Sequence, residues 1–231
     1  VRNARRGEVQ AARAAEANNV PFTMSTVSLC SVEEATDAVS KPLWFQLYMA
    51  KDRRFLKDLL KRVEKAGCEI LLVTVDLPVV GSRYRDVRSG LTRCTGLSCQ
   101  LWRLSQILAR PSWLWDVGVM GGPHHLGNLV PIMGSDARLK DFLAWTDENF
   151  DPSVTWDDIS FIRKNWRGKI ILKGLLNPED ASNAIKIGVD GIVVSNHGGR
   201  QLDGAPSTVR ALPAIAERIA GAISSSCRWR G

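Results

Sequence analysis

Glu69-Ile70-Leu71-Leu72-Val73-Thr74-Val75-Asp76-Leu77-Pro78 decides the fold. Its apolar run is nearly continuous and too short to cross a membrane, the pattern of a strand buried on both faces in a parallel sheet. A helical pattern precedes it. Phe55, Leu56, Leu59, Leu60, Val63 and Ala66 recur at helical spacing, Asp52 is placed to cap the start, and Gly67 is placed to stop it. The run ends in residues that can do chemistry, Thr74 and Asp76.

The same unit repeats outward in both directions. Strands are expected at Phe22–Ser28, Leu43–Met49, Lys169–Leu176 and Asp190–Asn196. Helices are expected after Ser31, where Glu34 completes a capping box; from Thr155, with Asp158 as its box partner, to about Trp166; after Asn177-Pro178-Glu179-Asp180; and over Pro206–Ile219. Between Val79 and Ser153 the chain reads as a long irregular insert. Alternating β and α elements imply a parallel sheet with right-handed crossovers. That alternation fits both a barrel and an open doubly wound sheet. The strand ends decide between them. Ser25 and Thr26, Gln46 and Tyr48, Thr74 and Asp76, Lys173, and His197 with Arg200 put polar groups at the C-terminal end of five successive strands. A (β/α)8 TIM barrel gathers its site in that way, whereas an open sheet concentrates it at one crevice. The fold expected is therefore α/β, an incomplete TIM barrel of about five strands with a long insert after one strand. No GxGxxG fingerprint follows any strand, which argues against a nicotinamide dinucleotide.

The composition, 45% hydrophobic and 24% charged, is that of an ordinary globular protein and excludes low-complexity or fibrous classes. A formal net charge of +7 favours acidic partners without choosing among nucleic acid, anionic lipid and small carboxylates. The five cysteines are scattered without CxxC spacing, so a zinc site is not expected and reduced thiols are. No signal-peptide pattern opens the chain, and no metal site is expected.

His197 stands in Ser195-Asn196-His197-Gly198-Gly199-Arg200, where the glycines let another group approach the backbone. It reads either as a hydrogen-bonded turn histidine or, with Asp76, as an acid–base pair in which the carboxylate fixes the tautomer. Asp76 alone also reads as a turn residue. Arg83 and Arg200, just past strand ends, can clamp a carboxylate or form surface ion pairs. Lys173, inside a strand, would suit an anionic ring edge or a Schiff base. Tyr48 reads as a packed ring with a bonded hydroxyl.

Ser195-Asn196-His197-Gly198-Gly199-Arg200-Gln201-Leu202-Asp203-Gly204 resembles the signature of the FMN-dependent 2-hydroxy acid dehydrogenases. Phe45-Gln46-Leu47-Tyr48, Thr74-Val75-Asp76-Leu77-Pro78 and Leu172-Lys173-Gly174 are similar to further blocks of that family in the same order, and the resemblance covers most of residues 8 to 221. It implies FMN as cofactor, with Ser25, Gln46 and Thr74 bonding the flavin ring and Lys173 facing its N1–C2 edge. It implies that Arg83 and Arg200 hold the substrate carboxylate and that Tyr48 contacts the substrate oxygen. His197 would be the base and Asp76 its partner. The proton would leave either the hydroxyl, with hydride transfer, or the α-carbon, through a carbanion.

Within the insert, Gly81-Ser82-Arg83-Tyr84-Arg85-Asp86, Trp115-Asp116-Val117-Gly118 and Pro123-His124-His125-Leu126-Gly127-Asn128 resemble the bacterial respiratory L-lactate dehydrogenase branch. That implies oxidation of L-lactate to pyruvate with electrons passed to quinone. Mandelate or glycolate oxidation and an inactive truncated fragment are the alternatives. His124 and His125 are expected to be structural. Six arginines between Gly81 and Trp113, mixed with Leu101, Trp102, Leu104, Trp113 and Trp115, suit the interface of an anionic membrane or a packed lid; nucleic acid is not expected as a partner. The branch implies peripheral association with the cytoplasmic face of the inner membrane and a homo-oligomer at full length. Against the family pattern, residues 1–221 are expected to form a partial barrel domain with its basic, Trp-rich insert at about 79–153. One strand before it and two after it would be lacking, and 222–231 would be an aberrant tail.

Overall fold

The structure, a computed structural model, describes residues 4–77, 88, 96–121, 125–134, 145, 148–202 and 204–220. Arg83, His124, Asp203 and the 222–231 tail lie outside them. In chain order come α1 (Gly7–Ala17), β1 (Thr23–Ser25), α2 (Val32–Thr36), β2 (Trp44–Tyr48), α3 (Arg53–Lys65) and β3 (Ile70–Thr74). There follow α4 (Leu97–Leu108), α5 (Val130–Met133), α6 (Trp156–Asn165), β4 (Lys169–Leu175), α7 (Pro178–Ile187), β5 (Gly191–Val194) and α8 (Thr208–Ile219).

The strands form one parallel sheet in the order β1-β2-β3-β4-β5. Spatial order therefore equals chain order. A doubly wound sheet reverses direction at a switch point; this one does not, and its stepwise progression is that of a β/α barrel wall.

Local chemistry sets the element ends at the residues the sequence predicts, although at α2 only the Ser31 half of the expected capping box forms and the Glu34 carboxylate bonds Arg6 instead. Ser31 Oγ accepts the Glu34 amide (3.2 Å), and Asp52 Oδ1 accepts those of Arg54 and Phe55 (2.8 and 3.2 Å). Thr155 and Asp158 make both bonds of a capping box at α6, and Asn177 Oδ1 accepts the Glu179 amide at α7 (3.0 Å). Each satisfies donors that a helix start leaves open. The last helix begins later than the sequence suggests, because Ser207 takes the cap and leaves Pro206 outside.

Strand alternation separates two faces. Met24, Phe45, Leu47, Leu71, Val73, Ile170 and Leu172 are buried in the main core, which also takes Leu56, Leu59, Leu60 and Val63 of α3 and Ile159 and Ile162 of α6. Ser25, Gln46, Tyr48, Thr74 and Lys173 occupy the alternate positions, which by strand pleat face the other way. The pleat thus sends apolar side chains to the helices and polar ones to a common concave side.

Three expectations change. The insert is not irregular throughout, since α4 and a widened helical turn at Leu114–Val119 lie within it. A helix, α1, also precedes the first strand, anchored by Glu8, whose Oε1 accepts the Leu29 amide at 2.9 Å. Cys30 and Cys68 are free and buried, but Cys99 is disulfide-bonded, against the expectation of reduced thiols.

Candidate active site

Three strand ends are tied by a polar ladder. Ser25 Oγ donates to Gln46 Oε1 at 2.8 Å, and Gln46 Nε2 donates to Thr74 Oγ1 at 2.8 Å. Gln46 and Thr74 are buried, so the ladder is fixed rather than solvated. Register carries the row onward: Tyr48 pairs with Thr74, and Thr74 with Lys173.

At the end of that row stands a cluster of four side chains. His197 Nδ1 lies 2.9 Å from Asp76 Oδ1. Lys173 Nζ is 3.3 and 3.4 Å from the two Asp76 oxygens and 3.2 Å from His197 Nδ1. Ser195 Oγ donates to Asp76 Oδ2 at 3.3 Å and accepts the His197 amide at 3.1 Å. Asp76 is the anion between two nitrogen partners. In the tautomer that carries hydrogen on Nδ1, the imidazole can donate it to Asp76, and Nε2 is then the nitrogen open to a proton from elsewhere.

The backbone around this cluster is unusual for physical reasons. His197 has φ +57°, a left-handed conformation that a non-glycine residue adopts at a cost. It is held by Ser195 Oγ and by Asn196, whose Oδ1 accepts the Gly198 amide at 3.0 Å. Gly174, with φ +118°, sits at a register shift in β4. A Cβ there would come within 2.5 Å of Asp76 Cβ and 2.6 Å of its Cγ. The missing side chain of Gly174 is the space that Asp76 occupies.

Tyr48 stacks in a tilted arrangement on Phe150, ring centres 5.3 Å apart, and Trp145 meets Phe150 edge-on at 5.7 Å. Tyr48, Thr74, Val75, Leu77 and Phe150 line a shallow cleft beside the ladder. Asp151 follows Phe150. Although its burial acts to raise the Asp151 carboxyl, bonds from Ser153 and the Arg53 guanidinium hold it below the usual carboxylate range. Arg200 is exposed at the end of the His197 turn.

The structure thus brings together Ser25, Gln46, Tyr48, Thr74, Lys173, Asp76 and His197 on one rim, with Arg200 close in sequence to His197. The sequence reading passed over Ser195, Gly174, Phe150 and Asn128. Ser195 and Gly174 lay within the quoted motifs, and their neighbours were the only signal. Phe150 lies near the end of the insert, where no periodicity marked it.

Residues 3–225 match the FMN-dependent dehydrogenase family. The chain is 57% identical to the L-lactate dehydrogenase of Caulobacter sp. (strain K31), over 94% of its own length and 56% of that relative's. Its identity to the L-lactate dehydrogenase of Vibrio cholerae serotype O1 (strain M66-2) is 54%, over 94% of this chain and 57% of the relative. It therefore spans about half the length of the curated relatives it matches. Among solved structures, mandelate oxidase superposes with a TM-score of 0.69 at 34% identity, covering 94% of this chain and 52% of that one. Its complex with (S)-4-hydroxymandelic acid reaches 0.72 at 34% identity, covering 94% and 54%. The chain belongs to the FMN-dependent dehydrogenase family.

The residues present fit the cofactor that the family's name specifies. The isoalloxazine edge alternates carbonyl and ring-nitrogen acceptors with one N–H donor. Gln46 offers both an acceptor and a donor, the Ser25 and Thr74 hydroxyls can serve as either, and Lys173 adds a cation. Ser25 and Gln46 are in register on β1 and β2, Thr74 and Lys173 on β3 and β4, and the Gln46–Thr74 hydrogen bond joins the two pairs.

Proposed function

We propose that this chain carries the flavin-ring and proton-transfer face of an enzyme that oxidises L-lactate to pyruvate and passes the electrons to a membrane quinone. The observation that carries the reading is the Asp76–His197 contact of 2.9 Å at the end of the Ser25–Gln46–Thr74 row. The similarity to L-lactate dehydrogenases over 94% of the chain favours lactate as the substrate.

FMN, when bound, supplies the acceptor for the electron pair. The protein's part is to bind, orient and move a proton. The 2-hydroxy acid loses two protons and two electrons to become a 2-keto acid: His197 Nε2 receives one proton, and the electron pair goes to the flavin acceptor, the second proton either with it, as hydride, or to solvent. Asp76 holds the imidazole in the tautomer that leaves Nε2 basic and stabilises the cation formed. Lys173, in register with Thr74, would present a positive charge to the flavin ring. Arg200 and Arg83 hold the substrate carboxylate by charge-assisted bonds, and Tyr48 meets the oxygen that becomes the ketone.

The route to quinone rests on α4. Leu97, Leu101, Leu104 and Leu108 recur at helical spacing yet are 73%, 58%, 51% and 61% exposed, with Trp102 and Trp115 exposed beside them. A half-apolar helix flanked by arginines suits the interface of an anionic bilayer. The contact proposed is peripheral, at the cytoplasmic face of the inner membrane; among the described residues no helix is long and apolar enough to cross a membrane.

The test is a visible spectrum of the purified chain with added FMN, before and after anaerobic L-lactate. Perturbed flavin bands that bleach with lactate, and more slowly with mandelate or glycolate, support the proposal. Bleaching only with mandelate would shift the substrate to the one named for the solved relatives. Absence of bound flavin would refute activity of this chain.

A further inference from the structure

Asn128 ends the Pro123-His124-His125-Leu126-Gly127-Asn128 motif, to which the function gives no role. Its side chain is fully buried, at 0% exposure. It comes from the insert, yet its side-chain atoms are engaged with the end of β1, the loop after it and the start of α2. Oδ1 accepts the Val32 amide at 2.8 Å. Nδ2 donates to the Ser25 carbonyl at 3.2 Å and to Ser28 Oγ at 3.0 Å. The Asn128 carbonyl accepts Arg62 Nη1 at 3.3 Å, and that guanidinium also grips Glu33 at 2.8 and 2.9 Å. The preceding Gly127 lies flat on the same loop: its amide donates to the Leu29 carbonyl at 3.1 Å, and a Cβ there would come within 2.4 Å of the Ser31 nitrogen.

A fully buried amide with both ends satisfied fixes the segments it joins, because each bond lost inside would leave an unpaired polar group. Here one of those segments is Ser25, the first rung of the ladder to Gln46 and Thr74. We propose that Asn128 is a positioning residue for flavin binding: it clamps the insert onto the end of β1 and sets Ser25, and through it the ladder, against the ring edge. The proposal rests on the flavin reading above.

The experiment titrates the chain with FMN and with riboflavin, following the visible band shift, in the unsubstituted protein, Asn128→Asp, Asn128→Ala and Ser28→Ala. Asn128→Asp keeps the acceptor for Val32 but turns an oxygen toward the Ser25 carbonyl. Ser28→Ala removes the neighbouring partner only. Amide exchange at Thr26 and Val32 and far-UV circular dichroism are read in parallel. The expected result is roughly tenfold weaker binding of both flavins in Asn128→Asp, the size of one misplaced hydrogen bond. Ser28→Ala should bind within about twofold of the unsubstituted chain, and helix content should be retained. Equal losses for FMN and riboflavin place the effect at the ring, not the phosphate. Unchanged flavin affinity in Asn128→Asp, with faster exchange at Val32, would make Asn128 a structural clamp only and overturn the proposal while leaving the flavin reading intact. No flavin bound by the unsubstituted chain would overturn both. If Asn128→Ala fails to fold, Asn128→Asp decides.

Discussion

Asp76 is the residue on which the proposed chemistry turns, bonded by His197, Lys173 and Ser195 and given its space by Gly174. Changing Asp76→Asn keeps its shape but removes the charge and lets the amide oppose the wrong imidazole tautomer. Lactate-dependent flavin bleaching should slow by roughly 10²–10⁴-fold, the range for losing a general base or its orienting carboxylate, while FMN affinity changes by less than about threefold, since Asp76 is no rung of the ladder. Stopped-flow bleaching and a flavin titration on the same preparations check this; equal losses in both would refute the assignment of Asp76 to proton transfer. Gly174→Ala offers a second approach to the same carboxylate. Its methyl group would lie 2.5 Å from Asp76 Cβ, at a φ of +118° that alanine resists. Strain of about 1–3 kcal/mol is expected in denaturant unfolding, and a bleaching rate reduced at least tenfold, with flavin still bound. His197, Asp76 and Lys173 were legible in the sequence because each is a polar residue ending an apolar strand. Gly174 and Ser195 were not, because their roles depend on approaches to Asp76 from β4 and β5. Ser195 is a small polar residue and Gly174 has no side chain, so neither announces by its type that it meets Asp76.

At the scale of elements, legibility followed packing. Strands β1 to β5 and helix α3 each bury an apolar set, and that burial imposes the pattern from which they were read, whereas α6 and α7 were read from their N-terminal caps. Their caps were legible for a local reason, since a cap bonds within three residues of itself. Helix α1 was missed because alanines and charged residues leave it little apolar contrast. Helix α4 was missed because a basic segment full of Trp and Leu suggests a surface before it suggests a helix. Yet its leucines are spaced as in α3, with the difference that they face outward. An exposed stripe of this kind needs a partner, since monomeric soluble proteins rarely leave large apolar patches open. The bilayer proposed above makes a measurable claim. The chain should co-sediment with vesicles rich in anionic phospholipid, less so as salt rises, and a Leu101→Glu, Leu104→Glu double substitution should abolish sedimentation. Flavin binding by that variant should equal that of the unsubstituted chain, because α4 supplies nothing to the ladder. Sedimentation that survives the double substitution would move the docking face elsewhere.

For the whole molecule, the sequence conveyed the architecture because the order of strands in space repeats their order in the chain. It conveyed less of how distant segments are fastened. Two carboxylates do much of that work. Glu33 joins α2 to α3 through Arg62, and Asp151 joins the end of the insert to α3 through Arg53. Burial acts to raise both carboxyls, but bonded partners outweigh it: chiefly Arg62 for Glu33, and Ser153 with Arg53 for Asp151. Both are held below the ordinary carboxylate range. A carboxyl with a lowered folded pKa stabilises the fold above the unfolded-chain value, about 4 for either residue type. That contribution is lost as pH falls through the lower folded value, because protonation then favours the unfolded chain. Stability from these two groups should therefore be level between about pH 5 and 7 and decline below about pH 4. Urea midpoints measured across that range check the direction. Asp151→Asn should flatten the acid limb, lowering the midpoint at pH 6 more than at pH 3. Glu33→Gln should act in the same sense but more weakly, because the Glu33 side chain is 44% exposed against 11% for Asp151 and solvent screens its pairing with Arg62. An acid limb equally steep in both variants would place the acid sensitivity in other carboxylates and leave these two as fasteners whose strength does not depend on charge.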